Sequence, residues 1–179
     1  DVVMADEASA EFIDQAAEQT GIHPKIKLVL GTREGWTGFD EIFRQPMTAP
    51  AAPTRPDDIL FCFFTSGTTG LPKRVGHTAV SYPLGHLSTS VIIGVKPEDI
   101  HHNLSAPGWA KWSWTSFFVP FNVGATVTAF SFNALDPELY LKALETHQVT
   151  TFCAPPTAWR MFVNSDLSGI RLTGLRQSV

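Results

Sequence analysis

Apolar residues along this chain follow two rhythms in turn, and each switch between them predicts a change from strand to helix. Asp1-Val2-Val3-Met4-Ala5 reads as the end of a strand. From Ser9 to Gln19 the apolar positions are Ala10, Ile13, Ala16 and Ala17, one helical face, and Gly21 is placed to end that helix. Ile26–Leu30 reads as a strand, and Phe39, Ile42 and Phe43 put a short helix over Trp36–Phe43. Residues 44–58 carry prolines at 46, 50, 53 and 56, which cannot sustain a regular ladder, so this stretch reads as a connector. The run Ile59-Leu60-Phe61-Cys62-Phe63-Phe64 is apolar without a break, the pattern of a strand buried on both faces. Arg74–Thr78 then returns as a second short strand. Thr78–Val95 reads as a helix with Pro83 in its first turn and Gly94 near its end.

Further along, Asp99–Ala106 reads as a strand broken by Pro107-Gly108. Trp109–Val123 is apolar nearly all round, as a buried helix would be, with Pro120 ending or kinking it. Ala125–Phe130 is β-rich. Asp136-Pro137 is a cap followed by a first-turn proline and opens a helix over Glu138–His147. Val149–Ala154 is a strand, Pro155-Pro156 precedes a helix through Phe162, and Leu175–Val179 begins another strand. Alternation at this rhythm predicts an α/β fold with a largely parallel sheet and flanking helices, whose loops and ligands lie at the carboxyl ends of the strands. Three loops are expected there: Thr65–Lys73, Ala106–Lys111 and Ala154–Thr157. The expected organisation is a strand-helix-strand part over 1–43, the connector at 44–58, and a loop-bearing part over 59–179.

Composition narrows the partners. A chain of 179 residues with 44% hydrophobic and 17% charged residues is globular, and its net charge of −4 argues against a nucleic-acid surface. Cys62 and Cys153 both lie in apolar runs and read as reduced core thiols, with no zinc-ligand spacing. No apolar run approaches the length of a membrane span, and the default location is cytoplasmic. Of the six histidines, the adjacent His101 and His102 would face opposite ways on a strand, so no metal site is expected. His77 reads as a structural hydrogen-bonding residue rather than a base.

The strand at 59–64 gives way abruptly to Thr65-Ser66-Gly67-Thr68-Thr69-Gly70, with Pro72 and Lys73 just behind. Two glycines free the backbone to turn its N–H groups into one concavity, four hydroxyls add donors, and Lys73 adds a mobile positive charge. So many donors in one place suit a polyphosphate. The spacing is neither a GxxxxGK[ST] loop nor GxGxxG. The plainer reading is a Ser/Thr/Gly-rich surface turn.

Phe64-Thr65-Ser66-Gly67-Thr68-Thr69-Gly70-Leu71-Pro72-Lys73 resembles the phosphate-binding signature of the adenylate-forming superfamily, which includes acyl-CoA synthetases, peptide-synthetase adenylation domains and luciferases. His77 fits the same pattern, while Arg74 stands where many members have glycine. The resemblance implies that Thr65, Ser66, Gly67, Thr68, Thr69, Gly70 and Lys73 hold the β- and γ-phosphates of ATP. The segment Ser105-Ala106-Pro107-Gly108-Trp109-Ala110-Lys111-Trp112 is similar to the acetyl- and medium-chain branch of the acyl-CoA synthetases, whose Gly-Trp pair lines the carboxylate pocket, and this implies substrate binding by Trp109. Trp112 and Trp114 read as packing residues, and Lys111 as a solvated lysine that also suits an anionic substrate.

The implied reaction starts from a carboxylate, ATP with Mg²⁺, and CoA, and passes through an acyl-adenylate. A carboxylate is already nucleophilic at neutral pH, so the requirement is positioning and donors for the charge moving onto pyrophosphate. Gly174–Val179 resembles the strand just before the family's adenine-binding motif. The resemblance therefore implies a part of the large N-terminal domain of such an enzyme. The adenine-binding segment, the magnesium-binding Glu, the ribose-binding Asp and the C-terminal lysine fall outside this chain, which is not expected to turn over alone. The alternatives are an amino-acid adenylation domain serving a carrier protein, a non-catalytic nucleotide- or anion-binding domain, and a purely structural module.

Overall fold

Residues 2–67, 70–132 and 134–179 are described by the structure, a computed structural model. The chain divides into two compact units, Asp1–Ala52 and Pro53–Val179, with the boundary inside the proline-rich stretch.

In the first unit, strand β1 (Val2–Asp6), helix α1 (Glu7–Thr20), β2 (Ile26–Leu30) and β3 (Thr37–Gly38) build a parallel three-stranded sheet in the order β1-β2-β3. Helix α1 starts two residues earlier than its apolar face suggests, because the Asp6 carboxylate accepts from the Ser9 N–H and caps it. Gly21, at φ +67°, ends it in the left-handed conformation. The short helix expected at Trp36–Phe43 is a 3₁₀ helix and runs over Phe39–Arg44. The small core joins Ala5, Ala10 and Val29 to Ile13 and Trp36. Beside it, Asp14 receives Lys27 Nζ at 3.0 Å, Arg33 Nε at 3.1 Å and the Trp36 indole N–H.

The second unit contains an antiparallel hairpin, β4 (Ile59–Thr65) and β5 (Lys73–Thr78), followed by helix α2 (Ser81–Ile93). Then come β6 (Ile100–Asn103), α3 (Ala110–Ser113), α4 (Val119–Val123), β7 (Thr126–Thr128), α5 (Pro137–Thr146), β8 (Thr151–Cys153), α6 (Pro156–Val163) and β9 (Gln177–Ser178). Strands β7-β6-β8-β9 form a wholly parallel sheet in that order, so the α/β expectation holds. Tyr140, Leu141 and Leu144 of α5, Val149, Phe152 of β8, and Ala158 and Phe162 of α6 form its main core. Each fully buried large apolar side chain there contributes about 1.5–3 kcal/mol.

Two expectations are corrected by the packing. Strand β4 is not buried on both faces: Phe61 and Phe63 turn inward, whereas Leu60, Cys62 and Phe64 are exposed. A two-stranded hairpin has only one face to cover, so an unbroken apolar run need not be buried throughout. Cys62 is accordingly an exposed free thiol, and only Cys153 is a core residue. The second correction concerns Trp109–Val123, which is a helix with one buried face. Thr115, Ser116, Val119 and Pro120 are buried, whereas Trp109 and Phe121 are exposed. Pro120 has no N–H for the preceding turn. The helix widens into a π turn over Trp114–Phe118, closed by Val119 N–H to Trp114 O, and resumes as α4.

Candidate functional site

The loop expected to bind phosphate is the tip of the β4–β5 hairpin. Thr65 pairs with Lys73 across the two strands, which brings the last hydroxyl of one strand opposite the lysine that opens the other. Thr65, Ser66, Gly70 and Lys73 are exposed and Gly67 is half-buried. The two glycines are needed for different reasons. A Cβ on Gly67 would lie 2.2 Å from the Leu71 carbonyl oxygen, so the turn closes only without one. Gly70 sits at φ +98°, where other residues are strained. Thr68 and Thr69 lie outside the described residues.

Below this tip, the inward side of the hairpin meets α2 and the helix that follows Trp109. Phe61 stacks on Phe63, with ring centroids 5.8 Å apart, and both pack against Tyr82. His77 places its ring on Phe63, Tyr82 and Trp114, an aromatic packing role where a hydrogen-bonding one was expected. A cavity of about 430 Å³ opens here, lined by Phe63, His77, Thr89, Ala110, Lys111, Trp114 and Thr115. Phe63 lies two residues before Thr65, about 7 Å along a strand, so this largely apolar pocket begins close below the loop.

Trp109 occupies the N-cap position of α3 without a side-chain capping bond, follows Gly108 at φ +95°, and its side chain is 72% exposed. It stands at the start of the turn whose next two residues line the pocket and is not itself among the lining residues. Lys111, read from the sequence as a solvated lysine that also suits an anionic substrate, is exposed and lines the pocket. Trp114 packs as expected, with its indole N–H on Thr89 Oγ1 at 3.0 Å and its ring edge-to-face with Tyr82 and His86. Trp112 packs edge-to-face on Phe117.

The loops after β6 and β8 leave their sheet side by side, since Asn103 pairs with Cys153 in a parallel register. The hairpin tip belongs to a separate sheet, so the three loops do not share one sheet edge. A second cavity, of about 340 Å³, lies at the carboxyl end of β6 and β7, where His102, Asn103, Trp112, Phe130 and Tyr140 line it. His102 is buried. Its Nδ1 contacts the Thr128 carbonyl at 3.0 Å and its Nε2 faces the Tyr140 hydroxyl, so Nδ1 carries the proton and Nε2 accepts. Burial lowers its pKa to about 4, and burial raises that of Tyr140. Among the described residues no three His, Cys, Asp or Glu side chains come together as a metal site.

Sequence reasoning missed Phe63, Thr89 and Thr115 as pocket residues. The signal for the last two was present as an interval: Lys111 and Thr115 lie four apart, one helical face, as do Gly85 and Thr89.

The sequence model of the AMP-binding enzyme family matches residues 2–178. The chain belongs to that family. Among its relatives, 4-hydroxybutyrate--CoA ligase 1 of Metallosphaera sedula is 49% identical over 153 residues, which is 85% of this chain and 27% of the ligase. Mouse acyl-coenzyme A synthetase ACSM3, mitochondrial, is 33% identical over 180 residues, covering 99% of this chain and 31% of the synthetase. The crystal structure of the anthranilate CoA ligase AuaEII in complex with anthranoyl-AMP superposes with a TM-score of 0.82 at 25% identity, over 97% of this chain and 34% of that one. The chain thus spans about a third of the length of these relatives. No helix among the described residues is long and apolar enough to cross a membrane.

Proposed function

We propose that this chain is the phosphate-loop part of an AMP-forming carboxylic acid:CoA ligase. In the reaction, a carboxylate oxygen attacks the α-phosphorus of ATP and pyrophosphate leaves. The CoA thiol then displaces AMP from the acyl-adenylate, giving a thioester. The observation that carries this reading is the juxtaposition of an exposed glycine, hydroxyl and lysine turn with an apolar pocket directly beneath it. Thr65, Ser66, Gly67, Thr68, Thr69, Gly70 and Lys73 would hold the β- and γ-phosphates. The fit is supported by Gly67, which approaches the Leu71 carbonyl oxygen so closely that no side chain is admitted there. Mg²⁺ would arrive on the phosphates, whose charge it neutralises.

The acyl body would occupy the 430 Å³ pocket, a size suited to a small organic ligand, with Trp109 beside its entrance. The relatives named as CoA ligases support a carboxylic acid substrate and CoA as acceptor. Amino-acid adenylation fits less well. Lys111 is the charged residue among those lining the pocket, and a cation there repels an α-ammonium group where a carboxylate would be needed. The free thiols Cys62 and Cys153 suit a reducing compartment such as the cytoplasm. Fractionation of cells distinguishes this location from the mitochondrion named for the ACSM relatives.

The test is acid-dependent exchange of labelled pyrophosphate into ATP by the full-length protein. Exchange that requires a carboxylic acid and falls at least about tenfold in Lys73→Ala supports the proposal. ATP binding that Lys73→Ala weakens, with no exchange for fatty, aromatic or amino acids, would assign a non-catalytic nucleotide-binding role instead.

A further inference from the structure

A buried carboxylate gathers the amino ends of the parallel strands. Asp99 immediately precedes β6, and its backbone carbonyl accepts from the Thr126 N–H at the start of β7. Its Oδ1 accepts from the Thr150 hydroxyl at 2.8 Å, just before β8. Its Oδ2 accepts from the Lys96 N–H at 2.7 Å and from Arg176, just before β9. The same nitrogen of Arg176, Nη2, also donates to the Gly94 carbonyl at 2.7 Å. Gly94 ends α2 at φ +73°, so the guanidinium sits at the negative end of that helix, where its charge is favourable. Arg176 therefore joins the carboxyl end of α2 to the sheet.

The amino end of α2 is joined to the hairpin instead. Thr78 closes β5 and Ser81 opens α2, and the two exchange hydrogen bonds: Thr78 N–H to Ser81 Oγ at 2.8 Å, Ser81 N–H to Thr78 Oγ1 at 3.0 Å. Tyr82 packs on Phe61 and Phe63 beside that junction. With 13 residues, α2 is about 20 Å long, and a tilt of about 3° about its carboxyl end carries the hairpin about 1 Å. The loops after β6 and β8 do not follow such a tilt, because Asp99 and Thr150 hold those two strands in register without Arg176.

We propose that Arg176 is a positioning residue: by pinning the end of α2 to the sheet, it fixes the phosphate-binding turn against the loops that follow β6 and β8. The inference rests on the reading of the hairpin tip as the seat of the triphosphate. In-line attack tolerates little misplacement, and a shift of about 1 Å caused far from the chemistry costs about a hundredfold in rate. Each substrate still meets its own side chains, so binding changes little. A residue that merely stabilised the fold would lower activity only as far as it lowered the folded fraction.

The experiment measures kcat and KM for acid-dependent pyrophosphate exchange in the full-length protein, with urea unfolding of each variant to establish the folded fraction at the assay temperature. In Arg176→Ala, kcat is expected to fall about tenfold to a hundredfold while KM for ATP and for the acid stay within about threefold and the protein remains folded. Arg176→Lys, which returns a cation and an N–H donor to Asp99 and Gly94, should recover most of the rate. If the alanine variant fails to fold, Asp99→Asn, which keeps an acceptor for Thr150 but loses the ion pair, carries the same loss of kcat with a smaller size. A kcat that stays at the wild-type value in folded variants, or a loss that tracks the folded fraction or appears in KM alone, overturns the inference while leaving the proposed reaction intact. A wild-type protein silent with every acid overturns the proposed reaction, and this inference with it.

Discussion

Acidification is expected to unfold this protein through a histidine that cannot accept a proton where it sits. His102 stacks on Phe130 at 4.3 Å, donates from Nδ1 to the Thr128 carbonyl and accepts from the Tyr140 hydroxyl at Nε2. A second proton would have to displace the Tyr140 hydrogen in surroundings that do not solvate the charge. The pKa is accordingly lowered from 6.5 to about 4, with burial as the main cause and the neighbouring His101 adding to it. Because the folded value lies below the unfolded one, the stabilisation is fully present above pH 6.5 and is lost as the pH falls toward 4. At about 1.4 kcal/mol per pH unit, the loss between pH 7.5 and 4.5 is roughly 2.5 kcal/mol, a large share of a typical domain's stability. His86 and His101, also lowered by burial, act with the same sign. The carboxylates act elsewhere. Asp14, held down by hydrogen bonds from Lys27 and Trp36, loses its contribution only as the pH falls below its ordinary 3.8. Asp99 behaves likewise: burial is the largest single effect and raises its pKa, but the hydrogen bonds from Arg176, the Lys96 N–H and Thr150, with the Arg176 charge, together bring it below the ordinary value. The assay is urea unfolding of wild type and His102→Gln from pH 7.5 to 4.5. The variant should start less stable but lose about 2 kcal/mol less across the range. Equal losses in both, or a His102 titration by NMR near pH 6.5, would refute the reasoning.

Other expectations follow from single contacts. Gly67→Ala should weaken ATP binding at least about tenfold by titration calorimetry while the melting temperature stays within about 2 °C, because the clash with Leu71 O lies in an exposed hairpin tip. Arg176→Ala leaves the buried Asp99 carboxylate with only Thr150 and the Lys96 N–H, and should cost about 1–3 kcal/mol in denaturant unfolding. A cost near zero would show that solvent replaces the guanidinium. Leu144→Ala, in the middle of the α5–β8–α6 core, should cost about 2–5 kcal/mol, and proteolysis would show the loosening.

Much of the fold was legible because its punctuation is local. Asp136 accepts from the Leu139 N–H at 3.0 Å with Pro137 just inside the helix, and Gly21 and Gly94 end their helices at positive φ. The parallel sheet followed from the alternation of strands with helices. Burial of β4 was not legible, because an apolar run looks the same whether one or both of its faces are covered, and pairing with β5 alone leaves Leu60, Cys62 and Phe64 outward. The π turn was hidden too: Pro120 announces a fault in the helix but not the widened turn that absorbs it. At the site, the loop was readable as a cluster of neighbouring donors. The pocket was not, since it joins Phe63, His77, Thr89 and Lys111 from four elements whose approach depends on tertiary packing.

The proposed reaction needs the hairpin tip to be the seat of a triphosphate. The direct measurement is a ¹H–¹⁵N NMR titration of the 179-residue chain with ATP and Mg²⁺, for wild type and Lys73→Ala. The largest shifts are predicted in the amides between Thr65 and Lys73, saturating with ATP and weakened by the substitution. Shifts confined to other parts of the chain, or a tip unmoved at saturating nucleotide, would contradict it.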